Sequence, residues 1–496
     1  MSLNPEPSQP EARAEHHLPP KSYTEAAIVP EEQQKRENEQ LKNGIQNGIQ
    51  NGTTTNGDDS FEISGNGIDS SPKSPQKGHA RKRSQKANDI EKKRTDVNKD
   101  ALEYEKHKAA DGAILTSTKP DDAFETELRQ DKKEMPRLRY DKRDLASGRR
   151  AGAGWERSSI RWAPFNVPLQ RRLQTLMVLA HTLSIAGLLT LFFLLCTIPL
   201  LWPILLPYLI YVLFSNAATN GNLYYRNERL RRSSIWSLFA SYFPARLHRL
   251  QELPSTRKYI FGYHPHGIIS HGAFAAFATE ALGFSQLFPG ITNTLLTLES
   301  NFRIPLYRDY ALRMGLASVG RESCENILTK GGPNKEGMGR AITIVIGGAR
   351  ESLNAQPNSL NLILQQRTGF IKIAIRTGAD LVPVLAFGEN ELYEQFQPDQ
   401  HPYVHKVQLF VKHLLGFTVP LFHARGIFNY DVGMMPYRRP LNIVVGRPVM
   451  VVQQEKPDPN YIKQLHAQYE RELRRIWDEW KDSFAKDRKG ELEIVE

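Results

Sequence analysis

The chain has 496 residues, with 65 Lys and Arg against 54 Asp and Glu, a formal net charge of +11 and two cysteines. Two cysteines cannot build a disulfide framework, and no Cys-x-x-Cys pair suggests zinc, so a cross-linked secreted fold and a zinc module are excluded. The positive balance fits an anionic partner, such as a membrane surface or a phosphorylated cofactor; no nucleic-acid-binding signature accompanies it.

Residues 1–150 carry NGIQNGIQNGTTTNG (43–57), much Ser, Gln, Lys and Glu, and few aromatics. Such a segment buries too little apolar surface to offset its ordering entropy, which predicts a disordered cytosolic tail. No cleavable signal peptide is visible at its start. Ser71-Pro72, Ser74-Pro75 and Arg81-Lys82-Arg83-Ser84 have the form of phosphorylation sites, a form that also arises by chance.

Residues 151–232 read as an interfacial segment followed by a membrane hairpin at about 173–214. Trp162, Phe165 and Val167 alternate with Arg161, Arg171 and Arg172, a pattern that suits a membrane interface or a plain linker. From Leu173 to Tyr225 there is no Asp, Glu, Lys or Arg. A span needs roughly 20 apolar residues, and this run supplies about twice that. Pro199, Pro203 and Pro207 predict two helices meeting near these prolines. The alternative, a buried soluble hairpin, would show a polar face, and the run shows none. Arg171 and Arg172 precede the run, and Arg226, Arg229, Arg231 and Arg232 follow it. Positive charge on both flanks predicts both ends in the cytosol. Two full spans and a re-entrant hairpin both satisfy this pattern.

Residues 233–496 read as a catalytic domain. Strand-like runs at Lys258–Phe261, Ala341–Ile346, Leu381–Phe387 and Leu441–Val445 alternate with helix-like stretches at Tyr307–Leu316, Phe370–Thr377 and Tyr461–Phe484. Alternation of this kind predicts an α/β layered domain. In the last helix Leu465, Tyr469, Leu473, Ile476 and Trp480 lie at helical spacing, so it is expected to pack and not to span.

The chemistry concentrates at Tyr263-His264-Pro265-His266-Gly267, at the end of the first strand. Proline fixes one backbone angle and glycine permits the turn. The corner therefore presents imidazoles, the side chains suited to proton transfer near neutral pH. Gly347-Gly348-Ala349-Arg350-Glu351-Ser352 follows the strand ITIVI, and brings a carboxylate to the same edge. In the block Arg367 to Glu389, Lys372 and Arg376 are four residues apart and share a helix face that could receive phosphates. Asn301 and Arg303, and Phe422-His423-Ala424-Arg425, join basic and polar or aromatic residues at loops, but their chemistry alone assigns no role. His423 reads as structural.

Tyr242-Phe243-Pro244, the Tyr-His-Pro-His-Gly corner, Gly-Gly-Ala-x-Glu-Ser and the long Arg-x-Gly-Phe block occur in an order that resembles type 2 diacylglycerol acyltransferases. The resemblance covers about residues 155–490 and is fungal-like in the long tail and in IRWAPFNVPLQRRLQTL. It implies a glycerolipid-acyltransferase-like domain anchored by an N-terminal apolar hairpin. It also implies an endoplasmic-reticulum enzyme in contact with lipid droplets, whose substrates are acyl-CoA and diacylglycerol. On this reading no metal or cofactor is required, because a thioester is already activated. His266 is the expected general base, and His264 positions it or binds substrate; the assignment between the two stays open. Related glycerolipid acyltransferases pair His with an Asp five residues on. Here Ile269 and His271 stand at the two corresponding places, so Glu351 is the candidate orienting acid. Arg367, Lys372 and Arg376 are candidate phosphate contacts, with Gly347, Gly348, Asn301 and Arg303 as further substrate-binding candidates. Transfer to monoacylglycerol or a long-chain alcohol is the near alternative, and a non-catalytic droplet-coating hairpin protein the distant one. Self-association into a homo-oligomer stays open.

Overall fold

The computed structural model describes residues 105–108, 114–120, 162–163, 167–353, 355–395 and 422–495. The phosphorylation motifs at Ser71, Ser74 and Ser84, and Phe165, lie outside these residues.

The apolar run Tyr259–His264 forms a strand, β4, buried along its whole length. Burial on both faces is the condition of a central parallel strand and explains why the sequence runs apolar here without a polar face. Its neighbours are β7 (Arg340–Val345) and β9 (Asp380–Phe387), both parallel to it, with Tyr263 opposite Val345 and Val384. Beyond β7 lie β5 (Thr292–Thr297) and β6 (Ala317–Ser318), also parallel. Beyond β9 come β12 (Asn442–Val445), antiparallel to β9, and β3 (Arg246–Arg249), parallel to β12. Two further strands, β1 (Glu105–Lys108) and β2 (Ile114–Thr118), complete a nine-stranded sheet of order β1-β2-β3-β12-β9-β4-β7-β5-β6, while β8 (Asn361–Ile363) pairs with β13 (Glu493–Val495) and β10 (Glu394–Gln395) with β11 (Phe422–His423).

The segment read as a tail to residue 150 thus contributes two strands. β2 pairs antiparallel with β3, and Thr118 Oγ1 donates to the Leu282 carbonyl at 2.7 Å. Its sequence ILTST has the β-branched content of a strand, but its partners in β3 lie more than a hundred residues away.

Helices cover both faces, which makes the domain α/β. On one face, α4 (Ile235–Tyr242) and the aromatic segment Phe274–Ala278 pack with Tyr259, Phe261 and Tyr263. On the other, α6 (Arg321–Thr329), α8 (Gly369–Thr377) and α9 (Pro459–Phe484) pack with Ile260, Ile342, Leu381 and Leu385. Alternation along β4 assigns its odd-numbered residues to the first layer and its even-numbered ones to the second. The last helix buries Leu465, Tyr469, Leu473, Ile476 and Trp480, the expected stripe, and Asp458 caps it by accepting the Tyr461 N–H at 2.9 Å.

The apolar segment forms three helices, where the sequence predicted two: α1 (Leu169–Thr182), α2 (Ser184–Cys196) and α3 (Trp202–Phe214). Among the described residues no single helix is long and apolar enough to cross a membrane; α1 and α2 qualify only together and meet at 66°. The first break, at Leu183, has no proline. Pro199 opens the short turn before α3, whereas Pro203 sits in the first turn of α3, where its missing N–H has no helical acceptor to serve. Pro207 lies inside α3.

Both ends of this unit are tied to the sheet domain. Arg438 donates to Gln174 Oε1 at 2.6 Å, and to the Arg171 carbonyl and Thr175 Oγ1 at 2.8 Å each. Helix α3 meets α5 (Tyr307–Arg313): Tyr208 Oη donates to Asp309 Oδ2 at 2.5 Å, and Arg308 donates to Ser215 Oγ at 2.5 Å. Of the arginines after the run, Arg231 is buried and paired with Glu280 at 3.1 Å and Glu228 at 2.8 Å. Arg229 and Arg232 are exposed. Trp162 pairs through its backbone with Asn429, with its side chain exposed.

Candidate active site

Because β4, β5, β7 and β9 run parallel, their C-terminal ends share one edge of the sheet. The loops leaving that edge carry His266, the Glu299–Arg303 turn, the Gly347–Glu351 corner and Glu389. In open parallel sheets this is the edge at which ligands bind.

Tyr263 and His264 end β4 on opposite faces. His264 is fully buried on the α9 side, with Nε2 3.0 Å from Tyr469 Oη. Tyr469 has one proton and gives it to the Gly262 carbonyl at 3.1 Å, so His264 must donate from Nε2. A Cβ on Gly262 would stand 2.0 Å from Tyr469 Oη, which makes glycine obligatory there. His264 Nδ1 is buried without a hydrogen-bond partner, and burial lowers this imidazole to about 3. His264 is a neutral core histidine and presents no ring nitrogen to solvent.

His266 is only partly buried. Its Nδ1 lies 3.1 Å from the Gly267 carbonyl. A carbonyl only accepts, so Nδ1 carries the proton and Nε2 is left with a lone pair. Desolvation lowers its pKa, opposed by backbone hydrogen bonds, and both the neutral form and the free Nε2 are what a base requires. Ser270 Oγ closes the turn by donating to the His266 carbonyl at 2.6 Å.

Glu351, in α7 (Gly348–Leu353), is buried and reaches His266 through the backbone. Its Oε1 accepts the His266 N–H at 2.6 Å, and its Oε2 accepts the Ile363 N–H at 2.9 Å. The sequence expected this carboxylate to orient the imidazole; it holds the corner's main chain. Burial pushes it up to about 7, against the pull of those two N–H groups and Arg367. Arg367 donates to the Gly347 carbonyl at 2.9 Å and so joins the same corner. Gly348 has open space around the position of a Cβ, and one on Gly347 would stand 2.2 Å from Glu351 Oε2.

The other candidates disperse. Lys372 is exposed in the middle of α8. Arg376 lies in the last turn of that helix, next to Thr377, whose carbonyl takes a bond from Lys258 just before β4. It therefore sits at the opposite edge of the sheet from His266, paired with Glu325 at 3.2 Å. Its expected phosphate role is not supported by this position: helical spacing gives a face but not an end. Asn301 donates to Thr297 Oγ1 at 2.8 Å and Arg303 to Glu299 Oε1 at 3.1 Å, both in the turn after β5 on the active edge. His423 Nε2 lies 2.9 Å from Glu394 Oε2, in a two-stranded pair apart from the main sheet. Among the described residues no cluster of three or more His, Cys, Asp or Glu could hold a metal ion.

Sequence reasoning missed Glu389. It is 2% exposed, accepts from Tyr263 Oη at 2.7 Å and from the Gly272 N–H at 3.0 Å, and burial pushes it up to about 7. Its position directly after an apolar strand, inside the Arg-x-Gly-Phe block, was the available signal.

The family model described as Diacylglycerol acyltransferase matches residues 192–495. The chain is 51% identical over 342 residues to "Diacylglycerol O-acyltransferase 2A" of Umbelopsis ramanniana, covering 68% of this chain and 94% of that one. It is 42% identical over 336 residues to "Diacylglycerol O-acyltransferase 2" of Dictyostelium discoideum, covering 68% and 99%. It is also 42% identical over 334 residues to "2-acylglycerol O-acyltransferase 1" of Bos taurus, covering 66% and 96%. No solved structure matches. The sheet edge and the comparisons together define an acyltransferase enzyme. The chain belongs to the diacylglycerol acyltransferase family.

Proposed function

We propose that the chain transfers a fatty acyl group from acyl-CoA to the free hydroxyl of diacylglycerol, giving triacylglycerol and CoA, with His266 Nε2 as general base. The observation that carries the base assignment is the His266 Nδ1–Gly267 carbonyl contact at 3.1 Å, which leaves Nε2 as the acceptor. Nε2 takes the hydroxyl proton as the oxygen attacks the thioester carbonyl. The carbon–sulfur bond then breaks, and the CoA sulfur leaves with the proton returned from Nε2. Backbone N–H groups of the glycine corners at this edge are the candidate donors to the oxyanion. General-base catalysis of this kind contributes about 100- to 10,000-fold. Arg367, at the same corner, is the first candidate for the CoA phosphates, with exposed Lys372 further along α8.

The apolar helices support the membrane part of this reading. Leu200 and Phe214 are 85% and 84% exposed, and Ile204, Leu206, Ile210 and Leu213 also face outward. A neutral glyceride dissolves in lipid and acyl-CoA in water, so a basic domain seated on an apolar hairpin can collect both. The proposed location is the endoplasmic-reticulum membrane and the lipid-droplet surface, with both termini in the cytosol, a tail ahead of the hairpin and the catalytic domain at 233–496.

A second acceptor, monoacylglycerol, is favoured by the identity to the bovine 2-acylglycerol O-acyltransferase. The test is direct: purified chain, labelled acyl-CoA and competing mono- and diacylglycerol, with products resolved by lipid class. Triacylglycerol as the main labelled product supports the first reading, and labelled diacylglycerol the second.

A further inference from the structure

β4 lies between β7 and β9, and a buried carboxylate follows each neighbour. From the β7 side, Glu351 holds the His266 N–H. From the β9 side, Glu389 reaches the same loop at other points. Its Oε2 takes the Tyr263 hydroxyl and the Gly272 N–H. Its Cγ stands 2.8 Å from where a Cβ on Gly267 would be, and Gly267 holds a φ of +57°. A Cβ on Gly272 would come within 2.6 Å of Glu389 Oε2. Glu389 is thus packed against both ends of the turn 267–272, and Gly267 supplies the carbonyl that fixes His266 Nδ1.

A buried carboxylate is costly unless its oxygens are hydrogen-bonded, and apolar replacement of buried ionic groups is often neutral or stabilising. Here one carboxylate oxygen takes both a side-chain hydroxyl and a backbone N–H of the loop that carries His266, and so ties that loop to the end of β9. We infer that Glu389 is a positioning residue for acyl transfer: with Tyr263 and Gly272 it fixes the Gly267 carbonyl and, through it, the tautomer and aim of His266. The inference rests on His266 being the base.

The test uses the full chain in membranes, with Glu389→Ala, Glu389→Gln, Tyr263→Phe and His266→Ala. Two measurements are made: steady-state kinetics, for kcat and KM with acyl-CoA, and the rate at which diethyl pyrocarbonate modifies His266, followed by mass spectrometry of its peptide. The second reports the free imidazole nitrogen whether or not the enzyme turns over. Glu389→Ala should lower kcat by about tenfold or more with KM within about twofold, and should change His266 reactivity by about threefold. Glu389→Gln, which keeps an acceptor oxygen, should show a smaller loss, and Tyr263→Phe a loss in the same direction. Unchanged His266 reactivity in a folded Glu389→Ala protein overturns the inference, even if stability or rate falls. Changed reactivity with normal kcat also overturns it; an active His266→Ala protein would then show that the base assignment had failed as well. Should Glu389→Ala not fold, Tyr263→Phe with unaltered kcat and reactivity overturns the inference equally.

Discussion

Tyr263 and His264 are adjacent in sequence and bond into opposite layers of the protein: the tyrosine to Glu389, the histidine to Tyr469. The strand's two-residue period produces this split. It buries one of the corner's two histidines, His264, and leaves His266 as the partly exposed one.

His266→Ala should abolish nearly all acyl transfer, a loss of about 100-fold or more, while the protein stays in the membrane fraction. Initial rates with labelled acyl-CoA, set against sedimentation of the variant with membranes, provide the check. Near-normal turnover by a correctly inserted variant would remove His266 from the mechanism.

Glu351→Gln keeps the size of the side chain but puts an amide NH2 in place of one of the two oxygens that accept the backbone N–H groups of His266 and Ile363. Only one of these can still be accepted, and the other donor or the amide is left unsatisfied, at about 1–3 kcal/mol. The expected result is a steep fall in kcat with little change in KM for acyl-CoA. A collapse of acyl-CoA binding with normal single-turnover chemistry at saturation would make Glu351 a substrate contact.

His264→Phe and Tyr469→Phe should cost stability more than chemistry. Tyr469→Phe removes the partner of both His264 Nε2 and the Gly262 carbonyl, a loss of about 1–3 kcal/mol. The remaining folded enzyme should turn over at close to the normal rate per molecule. If a folded His264→Phe protein loses turnover as completely as His266→Ala, the buried assignment of His264 is wrong.

Stability should depend on pH with two opposed limbs. Burial raises Glu351 and Glu389 from 4.5 to about 7, so folding favours their protonated forms. That contribution is complete below about 4.5 and is lost as pH rises through about 7. Burial lowers His264 from 6.5 to about 3, so its contribution is present above about 6.5 and is lost as pH falls through about 3. Each shift corresponds to an upper bound of about 3–5 kcal/mol. In thermal melts between about pH 5 and 8, Glu389→Gln should flatten the alkaline limb, and below about pH 6 His264→Phe should flatten the acidic one. Parallel curves for wild type and variants would refute the assignment of these limbs.

Topology is tested by proteolysis of intact vesicles. Epitopes near residue 100 and near residue 490 should both be cut from the cytosolic side, because positive charge flanks both ends of the apolar run. Protection of either epitope until the membrane is dissolved would overturn the hairpin arrangement.

Much of the fold was legible because central parallel strands are apolar throughout. The runs at 259, 341, 381 and 441 all became strands of one sheet, and the parallel direction of the first three placed His266 and the Gly347 corner at one edge. What stayed hidden depended on contacts distant in sequence. Glu389 finds Tyr263 across 126 residues and Gly272 across 117. Arg376 shares a face with Lys372, but only the helix-to-strand connection reveals that it ends at the far side of the sheet. The bend at Leu183 carries no proline, and β2 is too short and too polar to stand out from its surroundings.

The ties at Arg438 and at Asp309 have a consequence for the reach of the enzyme. They grip opposite ends of the apolar unit, so that unit is held at a fixed position against the sheet domain. If it lies in the bilayer as proposed, the height of His266 above the hydrocarbon is set by immersion and not by hinge motion. The polar layer on each side of that hydrocarbon is only roughly 5–8 Å thick. A chain shorn of α1, α2 and α3 would then lose its zero point as well as its hold on the membrane, and a glyceride hydroxyl would have no fixed level at which to meet the base.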